Sequence, residues 1–159
     1  MFTPDIYVAP RTRLDGKVVL AEPDQAWAET AAGLVSGIRE ALGPTAMLVE
    51  HVGSTAVPDL PAKPLIDLLL LVPDPSDEDA YVPALGPLGY ELRIREPDWH
   101  QHRLLKRSDP EVNLHVFGVG SEEADRMLAF RDHLRADRRD LELYAATKRD
   151  LADREWEFV

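Results

Sequence analysis

Apolar side chains recur at two different spacings along this chain, and together the spacings predict a mixed α/β fold. From Asp24 to Leu42 they return every three or four residues, which is typical of an amphipathic helix, and Gly43-Pro44 is expected to end it. Residues 65–72 are almost continuously apolar between two prolines. Such a run indicates a central strand that is buried on both faces.

Shorter segments complete the predicted sheet and its helices. Four more strands are predicted from short or alternating apolar patterns, at residues 46–52, 90–95, 102–107 and 112–119. Ser76 with Asp79 resembles a capping box that opens a short helix to Leu85, and Ser121 opens the first of two C-terminal helices. Residues 1–22 predict a tail or a short hairpin. We therefore predict an α/β or α+β domain, in which a mixed sheet is flanked by helices.

Composition narrows the possible partners and chemistry. The chain has 159 residues, no cysteine and a formal net charge of -11. That length suits one domain, and the missing cysteines exclude disulfides, thiolate zinc sites and cysteine nucleophiles. We expect a cytoplasmic protein without a membrane span, because the longest apolar run covers only residues 68–72. The acidity disfavours a long nucleic acid as partner, since binding phosphates requires basic surface.

A turn that follows the strand at 46–52 carries groups suited to phosphate. Gly53 allows the backbone to turn sharply and approach a ligand, because it has no Cβ atom. The hydroxyls of Ser54 and Thr55 and the neighbouring N–H groups can cradle phosphate oxygens, and Lys63 can supply a positive charge. The segment is therefore a candidate phosphate-binding loop.

Asp67 interrupts the most apolar strand of the chain. A buried carboxylate without a partner costs several kcal/mol, so Asp67 must pair with another group, face a cleft or bind a cation. Hard divalent cations such as Mg²⁺ take oxygen ligands of this kind and often share them with substrate phosphates. A structural aspartate that pairs with an arginine is the alternative.

The segment EHVGSTAVPDLPAKPLIDLLLLV at residues 50–72 resembles the characteristic sequence of the GrpB family, also called UPF0157. The resemblance continues through NLHVF at 113–117, FRDHLRAD at 130–137 and LYAATKRDLA at 143–152. It covers most of the chain from about residue 22. The family's fold is similar to that of the nucleotidyltransferase superfamily, so the resemblance implies a nucleotidyltransferase-like domain.

The resemblance also implies roles for particular residues. Active nucleotidyltransferases hold the triphosphate with a Gly-Ser turn, matched here by Gly53-Ser54, and two metal ions with three acids. Asp67 matches the first acid, whereas the second position is Leu69 and the third is His115 or Asn113. Leu69 cannot ligate a metal. The usual two-metal site is therefore not expected to form.

One metal ion remains possible by this resemblance. Asp67 with His115, helped by Glu50 or His51, could hold a single Mg²⁺ or Mn²⁺. Alternatively, His115 acts as a general acid or base near neutral pH. On the preceding strand we expect Arg103 to bind an anion beside the acidic pocket, together with its two basic neighbours (Lys106 and Arg107).

A zinc site is a third possibility that we consider less favoured. His100 and His102 would point the same way if their segment were extended, and His115 could join them. Such a site would indicate a zinc hydrolase.

From the sequence we expect a protein that binds a nucleotide or another phosphorylated small molecule and transfers a nucleotidyl or phosphoryl group. The alternative is a catalytically inactive nucleotide-binding or regulatory module that has lost the second metal-binding acid. Relatives usually continue past the end of this sequence with another alanine-rich helix. We therefore expect one domain over 1–159, either naturally shorter or lacking that helix, whose last helices a second copy of the chain could cover.

Overall fold

The computed structural model describes residues 20–152, which form one five-stranded sheet and four α-helices. The strands are β1 (Leu48–Val52), β2 (Ile66–Val72), β3 (Glu91–Glu96), β4 (His102–Arg107) and β5 (Val112–Gly118). The helices are α1 (Ala26–Leu42), α2 (Val82–Leu85), α3 (Glu122–Ala136) and α4 (Arg138–Ala152). The mixed α/β fold predicted from the sequence is confirmed.

The strand order is β1-β2-β5-β4-β3, so the two most apolar strands lie side by side near the centre. β2 and β5 are parallel, whereas the other neighbouring strands are antiparallel. The parallel register pairs Asp67 with Asn113 and Leu69 with His115. Because alternate residues of a strand share a face, these four side chains lie on the same face of the sheet.

The two faces of the sheet are covered differently. One face packs against α1 and α2 through the main core, whose strand residues are Val49, Ile66, Leu68, Leu70, Val72, Leu105, Val112, Leu114 and Val116. The other face carries a smaller cluster with α3, formed by Val52, Leu69, Phe117 and Ala124. Asp67 and His115 belong to this second, less completely covered face, and the side chain of each is about one quarter exposed.

Helix α4 packs on the loop that connects β1 to β2. A third apolar cluster joins Val57 and Leu60 of that loop to Leu134 at the end of α3 and to two residues of α4, Leu141 and Ala145. The loop begins with a short 3-10 helix at Ser54–Ala56. The loop that follows β1 is therefore held between the sheet and the last helix.

Local chemistry accounts for where the long helices begin and end. α1 ends at Gly43, whose positive φ of 54° suits glycine, and Pro44 follows it. Ser121 caps α3, because its hydroxyl oxygen accepts a hydrogen bond from the backbone N–H of Ala124. The end of α1 and the start of α3 were both predicted from the sequence.

Two sequence-based predictions differ from the structure. The helix expected from Ser76 to Leu85 is a 3-10 turn at Glu78–Ala80 followed by the four residues of α2. Its predicted capping box is absent, since Ser76 bonds to Asp74 instead. The hairpin proposed for residues 1–22 lies largely outside the described residues. No helix within residues 20–152 is both long and apolar enough to cross a membrane.

Candidate functional site

Asp67 and His115 contact each other across the two parallel strands. Nε2 of His115 lies 3.1 Å from Oδ1 of Asp67. The contact is diagonal, because Asp67 is paired in register with Asn113 rather than with His115. Asp67 therefore has the imidazole partner that the sequence analysis considered.

The contact continues into a row of four ionisable side chains. Nδ1 of His115 lies 3.3 Å from Nε2 of His102, and Nδ1 of His102 lies 2.8 Å from Oε1 of Glu96. The row thus runs diagonally from β2 through β5 and β4 to the end of β3. Burial lowers the pKa of His102, although the hydrogen bond that it donates to Glu96 opposes the shift.

All three contacts in the row can be hydrogen bonds only if the row holds one proton or cation more than two neutral imidazoles supply. Three hydrogen bonds between two carboxylates and two imidazoles need three protons, whereas two neutral imidazoles supply two. If His102 donates to Glu96 and His115 donates to His102, then Nε2 of His115 presents a lone pair to Asp67. An additional proton or a cation between Nε2 and the carboxylate balances this arrangement.

Asn113 adds an oxygen to the same place. Its Oδ1 atom is buried and has no hydrogen-bond partner among the described residues. Asn113 lies opposite Asp67 in the strand register. Because carboxylate and amide oxygens are ligands for hard cations, this set of atoms fits one cation. It does not fit two, since the position of the second acid is the fully buried Leu69.

Gly53 brings the turn after β1 into direct contact with Asp67. Its φ of 75° lies in the region that favours glycine. A Cβ atom at this position would lie 2.6 Å from Oδ2 of Asp67, closer than real Cβ atoms approach. The close approach of the Gly53-Ser54 turn to Asp67 therefore depends on the missing side chain.

Lys148 of α4 reaches the same turn. Its Nζ atom donates a 2.6 Å hydrogen bond to Oγ of Ser54. Burial lowers the pKa of Lys148, while the Asp67 carboxylate acts in the opposite direction. An ammonium group and a carboxylate thus both lie next to the turn, and Ser54 contacts the ammonium group.

Thr55 belongs to the support of the turn. Its buried hydroxyl donates to the carbonyl of Leu65, so it must accept a hydrogen bond from Nε2–H of His51. Burial and the guanidinium groups of Arg135 and Arg131 lower the pKa of His51 to about 4, although Asp67 opposes them. His51 is therefore neutral at pH 7 and acts as a hydrogen-bond donor. The side chains of Thr55 and His51 therefore use these hydrogen-bonding groups within the protein, and not as phosphate or metal ligands.

Glu50 is held by an arginine of α3. Its Oε1 atom accepts a 2.6 Å hydrogen bond from Arg131, which also donates to the carbonyl of His51 and to Asp132. Arg131 is buried. The structure thus brings Glu50 to Arg131 and connects α3 to β1, instead of placing the carboxylate beside Asp67 and His115.

Two predicted phosphate ligands are not brought to Asp67. Arg103 is opposite Val116 and therefore lies on the face covered by α1 and α2. Its guanidinium group binds Glu78 and Gln101. Lys63 lies partly buried in the loop before β2, and no ion pair joins it to Asp67 in the described part of the chain. Alternation along a strand places Arg103 on the wrong face for the predicted role.

The three histidines of the zinc hypothesis do not converge. His100 has a φ of 53° and belongs to a turn, so it does not share the extended geometry that the hypothesis required. In residues 20–152, the group of three metal-ligating side chains with close ligand atoms is His133, Asp137 and Asp140. There His133 pairs with Asp140, and Asp137 accepts a hydrogen bond from the backbone N–H of Asp140. Asp137 thus caps the N-terminus of α4, and these contacts explain why the three side chains lie close together.

Sequence reasoning did not predict the roles of Lys148 and Glu96. Lys148 is on the apolar side of α4 defined by Leu141 and Ala145, where a lysine is unexpected. This unexpected position is the feature of the sequence from which the role of Lys148 could have been predicted. No comparable signal marked Glu96, because its contact with His102 depends on the geometry of the turn between β3 and β4.

Comparisons with solved structures show which known folds this chain is similar to. A crystal structure of the conserved protein GrpB from Enterococcus faecalis is 30% identical, covers 84% of this chain and 82% of that one, and has a TM-score of 0.76. The Cid1 poly(U) polymerase, solved with Mg and 3'-dATP bound, has a TM-score of 0.56 at 15% identity, with 84% of this chain and 42% of that chain covered. The second likeness shows a nucleotidyltransferase-like fold.

Comparisons with proteins of similar sequence identify the same family. A UPF0157 protein of Halalkalibacterium halodurans is 52% identical over 91% of this chain and 74% of its own length. Another, from Streptomyces coelicolor, is 43% identical over 88% of this chain and 73% of its own length. The family model described as GrpB protein matches residues 17–158. The chain therefore belongs to the GrpB family, as its sequence around the Gly53-Ser54 turn and Asp67 indicated.

Proposed function

We propose that this protein binds a nucleotide or another phosphorylated small molecule at the Gly53-Ser54 turn, and that it transfers a nucleotidyl or phosphoryl group with one divalent cation. The observation that carries the proposal is the hydrogen bond of 2.6 Å from Lys148 to Ser54, at a turn in contact with Asp67. The turn, an ammonium group and a carboxylate thus meet in one place.

The turn and Lys148 are suited to a phosphate group. An ammonium group has three N–H donors, and the hydrogen bond to Ser54 uses one of them. The remaining donors and the positive charge can bind phosphate oxygens. Burial of Lys148 strengthens this attraction, because charges interact more strongly where water is partly excluded.

Asp67, His115 and Asn113 are the residues proposed to hold the cation. Nε2 of His115 and Oδ1 of Asp67 lie 3.1 Å apart. Two ligands of one octahedral cation are also about 3 Å apart when each lies ~2.1 Å from the ion. The unpaired Oδ1 of Asn113 supplies a third atom. Such an ion would supply positive charge to the phosphate oxygens during transfer.

His115 has an alternative role in the same reaction. When Nε2 carries neither a cation nor the additional proton, its lone pair can take a proton from the hydroxyl group of an acceptor. The hydrogen bonds through His102 to Glu96 would stabilise the resulting imidazolium. His115 is thus either a cation ligand or a general base, and its replacement by asparagine separates the two, since asparagine can ligate a cation but cannot accept the proton.

A second candidate function is nucleotide binding without catalysis. Leu69 occupies the position of the second acid, and Glu50 is bound to Arg131. Both observations favour a binding or regulatory module. On this view the turn and Lys148 still bind phosphate, whereas the affinity does not depend on a divalent cation.

One relative is named for a substrate that contains a nucleotide. A dephospho-CoA kinase of Mycolicibacterium paratuberculosis is 30% identical over 86% of this chain, which spans 40% of that protein. Dephospho-CoA contains an adenine nucleotide. Because this chain spans only 40% of that protein, the match assigns neither the kinase activity nor its substrate to this chain, and the proposal rests on the geometry of the turn.

A thermal-shift screen of ATP, UTP and pyrophosphate, each with EDTA, Mg²⁺, Mn²⁺ or Zn²⁺, tests the proposal. We expect stabilisation by phosphorylated compounds, loss of that stabilisation in Lys148→Met, and loss of its metal dependence in Asp67→Asn. Arg149→Met is the matched control, because this exposed neighbour on α4 pairs with Glu22. Stabilisation that is equal with EDTA and with metal would support the binding module instead. An unchanged response in Lys148→Met would reject the proposed site.

A further inference from the structure

Glu96 is held beside His102, at the far end of the row that begins at Asp67. The two residues are directly opposite each other in the antiparallel register of β3 and β4. Oε1 of Glu96 lies 2.8 Å from Nδ1 of His102, and the Glu96 side chain is about one quarter exposed. The backbone carbonyl of Glu96 also accepts a hydrogen bond from the N–H of Trp99 in the turn that follows. Glu96 therefore joins the row through His102, and two imidazoles separate it from Asp67.

The ring of His102 is fixed by aromatic neighbours. It stacks on Phe117 with ring centres 4.8 Å apart and on His115 at 5.5 Å, and the Trp99 ring meets it edge-on at 5.3 Å. His102 is only 6% exposed. Burial disfavours a charged imidazole, and a neutral one has one N–H donor and one acceptor nitrogen. The direction of one hydrogen bond of His102 therefore sets the direction of the other.

Glu96 sets the direction of the whole row, because a carboxylate can only accept hydrogen bonds. Nδ1 of His102 must donate to it, which leaves Nε2 of His102 as the acceptor for Nδ1–H of His115. A neutral His115 then has no proton on Nε2, and the lone pair of that nitrogen faces Oδ1 of Asp67 at 3.1 Å. Two acceptor atoms thus meet at the place where the proposed cation would bind.

We propose that Glu96 is a positioning residue, which acts through His102 to keep the Nε2 lone pair of His115 directed at Asp67. This inference rests on the proposed function, because that lone pair is the group that would bind the cation or take the proton of an acceptor. Glu96 acts on it only through His102. Hydrogen bonds that orient a ligating imidazole in this way typically contribute about 10–100-fold to metal affinity.

Glu96→Gln tests the inference, because glutamine has the shape of glutamate and also carries N–H donors. With a donor at this position the row can reverse: His102 then donates from Nε2 to His115, and His115 donates from Nε2 to Asp67. All three contacts are satisfied without an additional proton or cation. Nitrogen NMR of the full chain, labelled at histidine and kept in EDTA, distinguishes a protonated ring nitrogen from a bare one. We expect Nδ1 of His115 to be protonated in the wild-type protein and bare in Glu96→Gln.

Calorimetric titration with Mn²⁺ measures the consequence for the site. Glu96→Gln is expected to bind Mn²⁺ about tenfold more weakly than the wild-type protein, or weaker still. Glu91→Gln is the matched control, since this exposed glutamate of the same strand pairs with Arg93. It should change neither the ring nitrogens of His115 nor the affinity for Mn²⁺. An equal effect of both substitutions would overturn the inference, because loss of negative charge alone would then explain it.

The possible failures are distinguishable. A bare Nδ1 of His115 in the wild-type protein would overturn the inference without any variant, because the row would then run in the opposite direction. Equal Mn²⁺ affinity in the wild-type protein and Glu96→Gln would also overturn it, and would leave the proposed cation site in place. If the wild-type protein binds no Mn²⁺ but the ring nitrogens respond as expected, the cation of the proposed function is rejected and the positioning of His115 by Glu96 stands.

Discussion

A Cβ atom on Gly53 would lie 2.6 Å from Oδ2 of Asp67, so the turn after β1 and strand β2 approach each other as closely as glycine allows. The carboxylate therefore has little freedom to move toward the turn. A change at Gly53 should affect the position of Asp67 as well as the stability of the fold.

Gly53→Ala is expected to lower the free energy of unfolding by about 1–3 kcal/mol, because alanine is strained at a φ of 75° and its methyl group meets Asp67. Urea denaturation measures this loss. Gly33→Ala is the control: Gly33 is an exposed position in α1 with free space around it, and the substitution should stabilise by ~0.4–1 kcal/mol. Equal effects of the two substitutions would contradict the close packing at Gly53.

Replacing Glu50 should affect stability and not metal binding. Glu50→Gln weakens the ion pair with the buried Arg131 and should cost about 1–3 kcal/mol. In a double-mutant cycle, Glu50→Gln combined with Arg131→Met should cost less than the sum of the two single losses. Glu123→Gln, which breaks a more exposed pair with Arg126, should cost less than ~0.5 kcal/mol. A Mn²⁺ response lost in Glu50→Gln but kept in Glu123→Gln would show that Glu50 is a metal ligand after all.

His51 should make the fold less stable in mild acid. Below about pH 6.5 the unfolded chain gains a proton on His51, whereas the folded chain does not take it until about pH 4. Stability is therefore fully present above pH 6.5 and is lost as the pH falls through this window, by up to ~2 kcal/mol after allowance for solvent screening. His51→Gln keeps a donor for Thr55 and cannot titrate. Urea midpoints from pH 7 to pH 4 should fall less in this variant than in the wild-type protein, and parallel curves would refute the assignment.

Restoring an acid at Leu69 should not restore a two-metal site. Leu69 is fully buried in the cluster with Val52, Phe117 and Ala124, so Leu69→Asp leaves a carboxylate in apolar surroundings and should cost ~3 kcal/mol or more. Leu69→Met, a change of shape without charge, should cost under about 1.5 kcal/mol. Denaturation with and without Mn²⁺ provides the measurement. A Leu69→Asp protein that is as stable as Leu69→Met and binds Mn²⁺ more tightly would contradict this prediction.

The sequence allowed the sheet to be predicted well, because its strands have strong local patterns. The apolar run before Val72 and the alternation from Val112 onward correspond closely to β2 and β5. The short helix before Leu85 was predicted too long, since Pro83 and Pro87 divide the segment into short turns.

The site was only partly predictable, because its contacts join residues far apart in the chain. Local pattern was sufficient to single out Gly53 and Asp67, and the resemblance to the GrpB family added His115. The partners of Glu50 and Ser54 lie on α3 and α4, and only the packing of those helices reveals them. Arg103 was predicted as an anion ligand that the site does not contain. Its residue type suits an anion, but the strand register places it on the other face of the sheet.

The hydrogen bond between Ser54 and Lys148 joins residues 94 positions apart, and α4 is the last described helix to leave the ribosome. The proposed phosphate-binding arrangement therefore cannot exist until synthesis has passed α4 and that helix has docked on the β1–β2 loop. Docking and ligand binding are then thermodynamically linked, so a bound nucleotide should slow amide hydrogen exchange along α4 as well as at the turn. In the proposed function, the last described helix of the fold is thus part of the binding site.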